Sequence, residues 1–165
     1  MFYKRRSMSI PGSRFPIVGL RCTLFLRFMP LTSDEQTELV NAAKHAYENA
    51  YAPYSKFRVG AAILLESGEI FYGCNVENAS YGLTNCAERT AIFSAVSALG
   101  AKQVKIRALA VVNDREVSCS PCGACRQVIR EFGPAAEVIY LGPDGIQSSS
   151  IQKLLPDSFG PESLA

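Results

Sequence analysis

The amino-acid sequence predicts an α/β fold in which helices pack across a mixed β-sheet. Short apolar runs of strand length alternate with segments of helical periodicity, and this order is typical of β-α-β units with parallel strands. Residues 57–65 and 70–73 are extended runs joined by a turn at residues 66–69, so they add an antiparallel hairpin. A length of 165 residues with 48% hydrophobic residues suits one domain with a substantial core.

The first helix is expected to begin near Ser33. Thr32 with Glu35, or Ser33 with Gln36, has the spacing of a capping box. Pro53 is expected to end the segment, because proline disfavours helical backbone in the residue before it. A polar loop at residues 74–84 then leads into the second half of the chain.

Two helices and two strands follow, with a short helix near the end of the chain. The expected elements are a helix over residues 86–99, a strand over 106–112, a helix from 121 to 132, a strand over 137–141 and a short helix near 150–155. Gly100 is a natural helix stop. Residues 106–112 form a continuous apolar run, which is typical of a central strand covered on both faces.

Charge divides the chain into two parts. Residues 1–28 contain six basic residues and no acidic residue, whereas residues 29–165 contain eleven basic and fifteen acidic residues, a net charge of −4. We predict a poorly ordered basic leader over residues 1–31 and a catalytic domain over residues 32–165. The acidic balance of the domain argues against a nucleic-acid partner. Arg21 and Arg27 interrupt the apolar part of the leader, so a membrane span is not expected.

The leader has two interpretations. We favour an upstream extension, with the functional chain beginning at Met29 and the protein in the cytoplasm. An acid-free, arginine-containing segment also resembles an organellar transit peptide, which is the alternative.

Three of the six cysteines have the spacing of a metal site. Cys122 and Cys125 form a C-x-x-C pair at the start of a helix, which places both sulfurs on one side. Cys86 begins another helix. Three protein ligands with an open fourth position are the catalytic zinc pattern, whereas four are structural. Pro121 is expected to direct Cys119 away, and no role is assigned to Cys74.

Two neighbours of Cys86 distinguish a catalytic site from a structural one. Glu88 is interpreted as an acid/base group, although a carboxylate in a first helical turn is also favoured by the helix dipole alone. Arg89 is expected to donate to the ligand sulfurs, since three thiolates on Zn²⁺ leave a net charge of −1. A structural zinc cluster and an iron–sulfur cluster are the alternatives for the thiols alone. Ile129 occupies the fourth position of a ferredoxin-like cysteine run, which disfavours iron.

These motifs resemble a known family. The sequence CAE at residues 86–88 and PCGAC at residues 121–125 is the three-cysteine form of the nucleobase deaminase zinc signature. The chain resembles the small homotetrameric zinc-dependent cytidine deaminases. Similar family segments occur at residues 52–57 (APYSKF), 73–79 (GCNVENA) and 154–159 (LLPDSF). The resemblance implies a three-layer α/β/α fold with a mixed five-stranded sheet.

The resemblance also implies a function and its residues. The reaction would be hydrolytic deamination of cytidine and deoxycytidine to uridine and deoxyuridine in pyrimidine salvage, with one zinc ion per subunit and Glu88 moving protons. Blasticidin-S-type deaminase and a non-catalytic zinc module are the rival functions. By this resemblance, Asn75 and Glu77 would bind the ribose hydroxyls, and Phe57 would pack near the nucleoside. The Ala87 backbone would bind the pyrimidine, and Tyr81 and Phe159 would act across subunit interfaces.

Overall fold

The computed structural model describes residues 30–164, and the predictions for residues 1–29 lie outside these described residues. The helices are α1 (Ser33–Tyr47), α2 (Ala87–Leu99), α3 (Gly123–Phe132) and α4 (Ile151–Leu154). The strands are β1 (Val59–Leu65), β2 (Ile70–Cys74), β3 (Ile106–Asn113), β4 (Glu137–Gly142) and β5 (Gly145–Ser150). None of the helices between residues 30 and 164 has the length and apolar character needed to cross a bilayer.

The five strands form one mixed sheet in the order β2-β1-β3-β4-β5. β1 is antiparallel to both of its neighbours, β3 is parallel to β4, and β4 is antiparallel to β5. β2, β3 and β4 therefore run in the same direction, as the alternation of strands and helices predicts. Among the five strands between residues 30 and 164, only β3 and β4 are hydrogen-bonded as a parallel pair, because β1 lies between β2 and β3.

Two cores lie on opposite faces of the sheet, which confirms the three-layer architecture. Leu39 and Ala43 of α1 pack against Ala62 on one face of β1. On the other face, Ile63 of β1 packs with residues of α2 and α3 that include Ile92 and Ile129. β3 is buried along nearly its whole length, so its prediction as a central, doubly covered strand is confirmed.

The capping box of α1 links the helix to the sheet. Thr32 Oγ1 accepts a hydrogen bond from the Glu35 backbone, and Glu35 accepts one from the Thr32 backbone at 2.9 Å. Arg107 of β3 donates to both Glu35 oxygens at 2.7 and 3.0 Å. The hydrogen bond from Arg107 lowers the pKa of Glu35 to about 2. Glu35 therefore stabilises the helix start and joins it to the central strand.

Two local expectations differ from the structure. α1 ends at Tyr47 rather than near Pro53, because Tyr51 leaves the helix to pair with the residues after β2. The sequence also predicts an apolar stripe on α2, formed by Ile92, Phe93, Val96 and Leu99, but Phe93 is 48% exposed. Small residues bury that helix face instead, chiefly Ala87, Ala91 and Ala95, because α2 packs unusually close to the sheet.

Gly73 allows this close packing of α2 on β2. A Cβ atom at Gly73 would lie 2.5 Å from the Ala91 nitrogen and 2.8 Å from Thr90 Cβ. Gly73→Ala is therefore expected to lower the free energy of unfolding by about 1–3 kcal/mol, as overpacked core sites do. Denaturant unfolding measures this change, with Gly82→Ala as the control, since a Cβ there meets nothing within 4 Å. Equal stability of the two variants would contradict the close-packing argument.

Candidate active site

Three cysteine sulfurs meet where the starts of α2 and α3 converge. Cys86 and Cys122 are the N-cap residues of the two helices, and both have extended backbone conformations. Cys125 is buried in the first turn of α3. The three sulfur atoms all lie within 4.8 Å of one another, and Cys86 Sγ is 4.0 Å from Cys122 Sγ. Residues far apart in the chain thus form one three-thiol group.

The spacing of these sulfurs fits zinc. Two thiolates bound tetrahedrally at about 2.3 Å from one Zn²⁺ ion are about 3.8 Å apart, close to the 4.0 Å between Cys86 and Cys122. Cys74 and Cys119 are described residues but lie outside the three-thiol group. The Cys119 backbone N–H donates to Leu141 O at 2.7 Å, which holds this residue against β4. The group therefore offers three protein ligands.

The thiols do not ionise independently. A hydrogen bond from the Cys125 thiol, supplemented by the Arg89 guanidinium, lowers the pKa of Cys86 to about 5. That hydrogen bond and burial raise the pKa of Cys125, since a second thiolate so close to the first is repelled by it. A divalent cation among the sulfurs would offset the repulsion and favour three thiolates. The donor set therefore suits a thiophilic divalent ion such as zinc.

Glu88 lies beside the thiols in the first turn of α2. It is 4% exposed, whereas a glutamate that served only the helix dipole would be expected in solvent. Burial raises the pKa of the Glu88 carboxyl, and negative charge on Cys86 raises it further. A buried carboxyl with a raised pKa is suited to accept and return protons near neutral pH.

Arg89 contacts the three-thiol group from the same helical turn. Its guanidinium donates to Cys86 Sγ at 3.5 Å and to Thr84 O at 3.4 Å. Arg126, the other arginine next to a cysteine ligand, does not share this arrangement. Its guanidinium donates to Pro121 O, to Leu154 O and to Ser120 Oγ. Arg126 therefore connects the start of α3 to α4, while Arg89 places positive charge beside a sulfur.

Arg89→Gln is expected to weaken zinc binding by about 10- to 100-fold, the range typical of residues that hold metal ligands. The glutamine removes the positive charge that offsets the thiolates and the hydrogen bond to Cys86. Competition with a chromophoric chelator measures zinc affinity, and Arg126→Gln is the matched control. Unchanged zinc affinity and turnover in the Arg89 variant would contradict the role inferred from charge.

The loops before β1 and after β2 form a cluster, here called the loop cluster (residues 52–57, 75–77, 81 and 84), which contains several residues expected to contact a nucleoside. Arg89 links this cluster to the thiols, because it donates to both Thr84 O and Cys86 Sγ. Glu77 accepts hydrogen bonds from the Tyr54 and Ser55 backbone at 2.9 and 3.2 Å and from the Ser55 hydroxyl. The hydrogen bond from the Ser55 hydroxyl lowers the pKa of Glu77, and the two backbone bonds lower it further. Tyr54, Ser55 and Glu77 line an open cavity of about 400 Å³ together with Tyr81 and Thr84. Glu77 is therefore held as a carboxylate at the wall of a cavity.

Asn75 and Phe57 face each other across the entry to β1. Asn75 Nδ2 donates to Phe57 O at 2.9 Å, and Asn75 Oδ1 accepts from the Val59 N–H at 2.8 Å. The amide keeps one N–H and one acceptor lone pair for a further partner. Arg115 lies over the Phe57 ring at 5.4 Å from its centroid. Ala87 is buried in the first turn of α2, and Tyr81 and Phe159 are exposed.

Sequence reasoning did not assign a role to Ser55 or to Arg115. Ser55 lies within the segment at residues 52–57, which resembles the family, so a signal for it was present. Arg115 lies in a loop between β3 and α3 without periodicity or a motif. Its contacts arise from tertiary packing, and no local pattern predicts them.

Comparison with known proteins identifies the family. Residues 33–141 match the family model described as the cytidine and deoxycytidylate deaminase zinc-binding region. A cytidine deaminase of Sporosarcina psychrophila is 52% identical over 130 residues, which cover 78% of this chain and 93% of that protein. A cytidine deaminase of Halalkalibacterium halodurans is 50% identical over 128 residues, which cover 76% of this chain and 95% of that protein.

A solved structure agrees with these sequence relatives. The crystal structure of a cytidine deaminase from Burkholderia pseudomallei has a TM-score of 0.69 and 49% identity, and the match covers 78% of this chain and all of that one. The residues matched by the family model, 33–141, include the three-thiol group, strands β1 to β3 and β4 up to Leu141. This chain belongs to the cytidine and deoxycytidylate deaminase family and carries its zinc-binding region.

Proposed function

We propose that this protein hydrolyses cytidine and deoxycytidine to uridine and deoxyuridine, releasing ammonia, as a zinc-dependent step of pyrimidine salvage. The observation that carries the proposal is the three-thiol group with the buried carboxyl of Glu88 beside it. Relatives at about half identity are named cytidine deaminases, which supports a nucleoside substrate. Each subunit would hold one zinc ion through Cys86, Cys122 and Cys125.

Glu88 would move the protons of the reaction. Cys86, Cys122 and Cys125 would hold the zinc ion, which would supply Lewis-acid activation of water. The Glu88 carboxylate accepts a proton from the water and delivers a proton to N3 of the pyrimidine, which makes C4 electrophilic. After oxygen adds at C4, Glu88 takes the proton of the new C4 hydroxyl group and carries it to the exocyclic amine. The C4–N bond then breaks, the C4 carbonyl forms and ammonia leaves. The burial of Glu88 supports this role, because burial raises the pKa of its carboxyl and a raised pKa favours acceptance of a proton.

The helix starts and Arg89 would balance the charge of the site. Three thiolates exceed the charge of Zn²⁺ by one, which disfavours ionisation of the attacking water. Arg89 beside Cys86 supplies positive charge, and the N-termini of α2 and α3 add partial positive charge. Arg89 is therefore proposed to sustain zinc binding and turnover rather than to touch the substrate.

The loop cluster would hold the nucleoside. We assign the ribose hydroxyls to Asn75 and Glu77, the ring of Phe57 to packing against the nucleoside, and the Ala87 backbone to the pyrimidine. Glu77 supports this assignment because it lines a cavity as a carboxylate, the form that accepts hydrogen bonds from hydroxyl groups.

We further propose a homotetramer in which neighbouring subunits complete the active sites. Tyr81 is 76% exposed and Phe159 is 59% exposed, and exposed aromatic side chains favour burial at an interface. Gln127 donates to Phe159 O at 3.0 Å, which holds the backbone of the tail while the ring projects. Light scattering with size-exclusion chromatography measures the assembly.

Compartment and domain boundaries are also proposals. The described cysteines Cys74, Cys86, Cys119, Cys122 and Cys125 are unpaired thiols, which favours a reducing compartment such as the cytoplasm. We place the catalytic domain at residues 32–165 and the basic leader at residues 1–31. A chain beginning at Met29 would then fold and deaminate cytidine like the full chain.

One substrate panel tests the proposed function. The full chain, loaded with zinc, is assayed with cytidine, deoxycytidine, CMP and blasticidin S by loss of ultraviolet absorbance and release of ammonia. Turnover of the two nucleosides is the expected result. Turnover of blasticidin S alone would overturn the proposal in favour of a blasticidin-S-type deaminase. Zinc binding without ammonia release from any substrate would indicate a non-catalytic zinc module.

A further inference from the structure

Arg115 holds the loop that carries the proposed nucleoside contacts. Its guanidinium donates to Lys56 O at 2.7 Å and to Ser55 O at 3.2 Å. The same guanidinium lies 5.4 Å from the centroid of the Phe57 ring, within the range of a cation–π contact. One side chain thus contacts three successive residues of the segment at residues 53–57.

The backbone that presents Arg115 is itself fixed. Asn113, the last residue of β3, is 2% exposed. Its Oδ1 accepts hydrogen bonds from the Arg115 and Val117 N–H groups at 3.0 and 3.2 Å, and its Nδ2 donates to Val117 O at 2.7 Å. The loop after β3 is therefore closed around a buried amide and holds Arg115 on a rigid base.

Asp114 forms a second link between the loop after β3 and the chain that leads into β1. Asp114 accepts hydrogen bonds from the Arg58 backbone at 3.2 Å and from Arg58 Nε at 2.8 Å. The Asp114 N–H donates to Arg58 O at 3.1 Å. The loop after β3 therefore contacts the chain on both sides of Phe57.

The segment held by Arg115 needs such support. Lys56 has a φ of 55°, a left-handed conformation that residues other than glycine adopt only when their surroundings impose it. The two carbonyls that Arg115 binds flank this strained position. The position of Ser55 in turn affects that of the Glu77 carboxylate, which accepts hydrogen bonds from the Ser55 N–H and hydroxyl.

We propose that Arg115 is a positioning residue of the nucleoside site: it sets Ser55, and through it Glu77, and it orients Phe57. The inference rests on the proposed function for the identity of the ligand. The partners of the Arg115 guanidinium are the carbonyls of Ser55 and Lys56 and the Phe57 ring, and none of these residues belongs to the three-thiol group. Loss of Arg115 therefore affects substrate binding and leaves the metal and the proton transfer in place.

Steady-state kinetics separate this role from a structural one. Arg115→Ala is expected to raise KM for cytidine about tenfold, with kcat changed by less than about twofold, the pattern of lost uniform binding. Zinc content is expected to stay at the wild-type value. Arg115→Lys keeps a cation near Phe57 but lacks the planar Nη2 amino group that donates to both carbonyls, so its KM is expected to lie between those of the wild type and Arg115→Ala.

Arg107→Ala is the matched control. It removes an arginine whose partner is Glu35 of α1, and α1 covers the face of the sheet opposite α2 and α3. This variant is therefore expected to lower the melting temperature and to leave KM unchanged. An unchanged KM in Arg115→Ala would overturn the proposal. A fall in kcat accompanied by loss of zinc would also overturn it.

Hydrogen exchange tests the same inference without a substrate. The N–H groups of Tyr54, Ser55, Lys56 and Phe57 all donate to partners within the loop cluster. Faster exchange of these amides in Arg115→Ala, with unchanged exchange in β3, is the expected result, and wild-type exchange would overturn the proposal. A wild-type protein that releases no ammonia would contradict the proposed function instead, and the exchange rates would still decide whether Arg115 fixes the segment.

Discussion

Replacing Glu88 with glutamine is expected to remove nearly all deamination while zinc remains bound. Glutamine has nearly the same shape but cannot accept and return a proton, and general acid–base assistance is typically worth about 10²–10⁴-fold in rate. The ligand sulfurs belong to other side chains, so the metal site keeps its three donors. Ammonia release and metal analysis on the same sample measure the two effects.

The glutamine variant is also expected to fold at least as stably as the wild type. Burial raises the pKa of Glu88 above its ordinary value, so ionising this carboxyl costs more in the folded than in the unfolded chain. That stability contribution is present below the ordinary pKa and is lost as pH rises through the raised pKa. At neutral pH, glutamine removes this larger cost together with the smaller favourable interactions of the carboxylate, which are hydrogen bonds and the charge of Arg89.

A matched control separates charge removal at this site from charge removal in general. Glu38→Gln makes the same change on α1, where Glu38 is exposed, and is expected to keep wild-type turnover. Deamination by the Glu88 variant at a rate near that of the Glu38 variant would falsify the proton-transfer role. Loss of zinc from the Glu88 variant would show instead that the carboxylate supports the metal.

Replacing Cys122 with serine is expected to release zinc and abolish turnover. A zinc ion held by three thiolates loses one of its three protein ligands in this variant. The loss should weaken zinc binding by more than the roughly 10- to 100-fold that follows when a residue hydrogen-bonded to a metal ligand is replaced. Cys122 is the best of the three for this test because it is exposed, whereas Cys125 is buried. Serine at residue 122 therefore leaves the core intact.

Cys119→Ser and Cys74→Ser are the controls for the number of ligands. Both cysteines lie outside the three-thiol group, so both variants are expected to bind zinc with wild-type stoichiometry and to turn over cytidine. Zinc loss from Cys119→Ser equal to that from Cys122→Ser would mean that Cys119 is a fourth ligand. The site would then be a structural zinc cluster.

Reversible removal of the metal gives a check that needs no variant. A chelator is expected to abolish turnover, and added Zn²⁺ is expected to restore it. Turnover that persists after metal analysis shows zinc to be absent would contradict zinc dependence.

Much of the fold could be predicted because its signals are local. The capping box at Thr32 and Glu35 begins α1 where the sequence predicts it. Gly100 and Gly133 are the C-cap residues of α2 and α3. Gly100 has a φ of 85°, a conformation that glycine adopts without strain. The apolar run of β3 predicted a central strand because burial on both faces requires apolar side chains throughout.

Other features depended on contacts that no local pattern encodes. The elements derived from residues alone did not include β5, whose residues 147–150 are polar and lack alternation; the five-stranded sheet followed from the family resemblance. Alternation of strands and helices predicted strand direction but not the position of β1 between β2 and β3. The hydrogen bond from Arg126 to Leu154 O could not be predicted either, because Leu154 lies 28 residues away in the chain.

The sequence by itself determined the donor types of this protein: a C-x-x-C pair and a third cysteine, each at the start of a helix, with Glu88 and Arg89 in the next positions. Only the tertiary structure decided that sulfurs 36 residues apart in the chain lie 4.0 Å from each other. The helix starts follow from local backbone preferences, whereas their convergence depends on how α2 and α3 pack on the sheet, where Gly73 lets α2 approach β2 closely. The position of Arg115 over Phe57 also depends on tertiary packing. The loop after β3, which the buried Asn113 closes by hydrogen bonds, places Arg115 there.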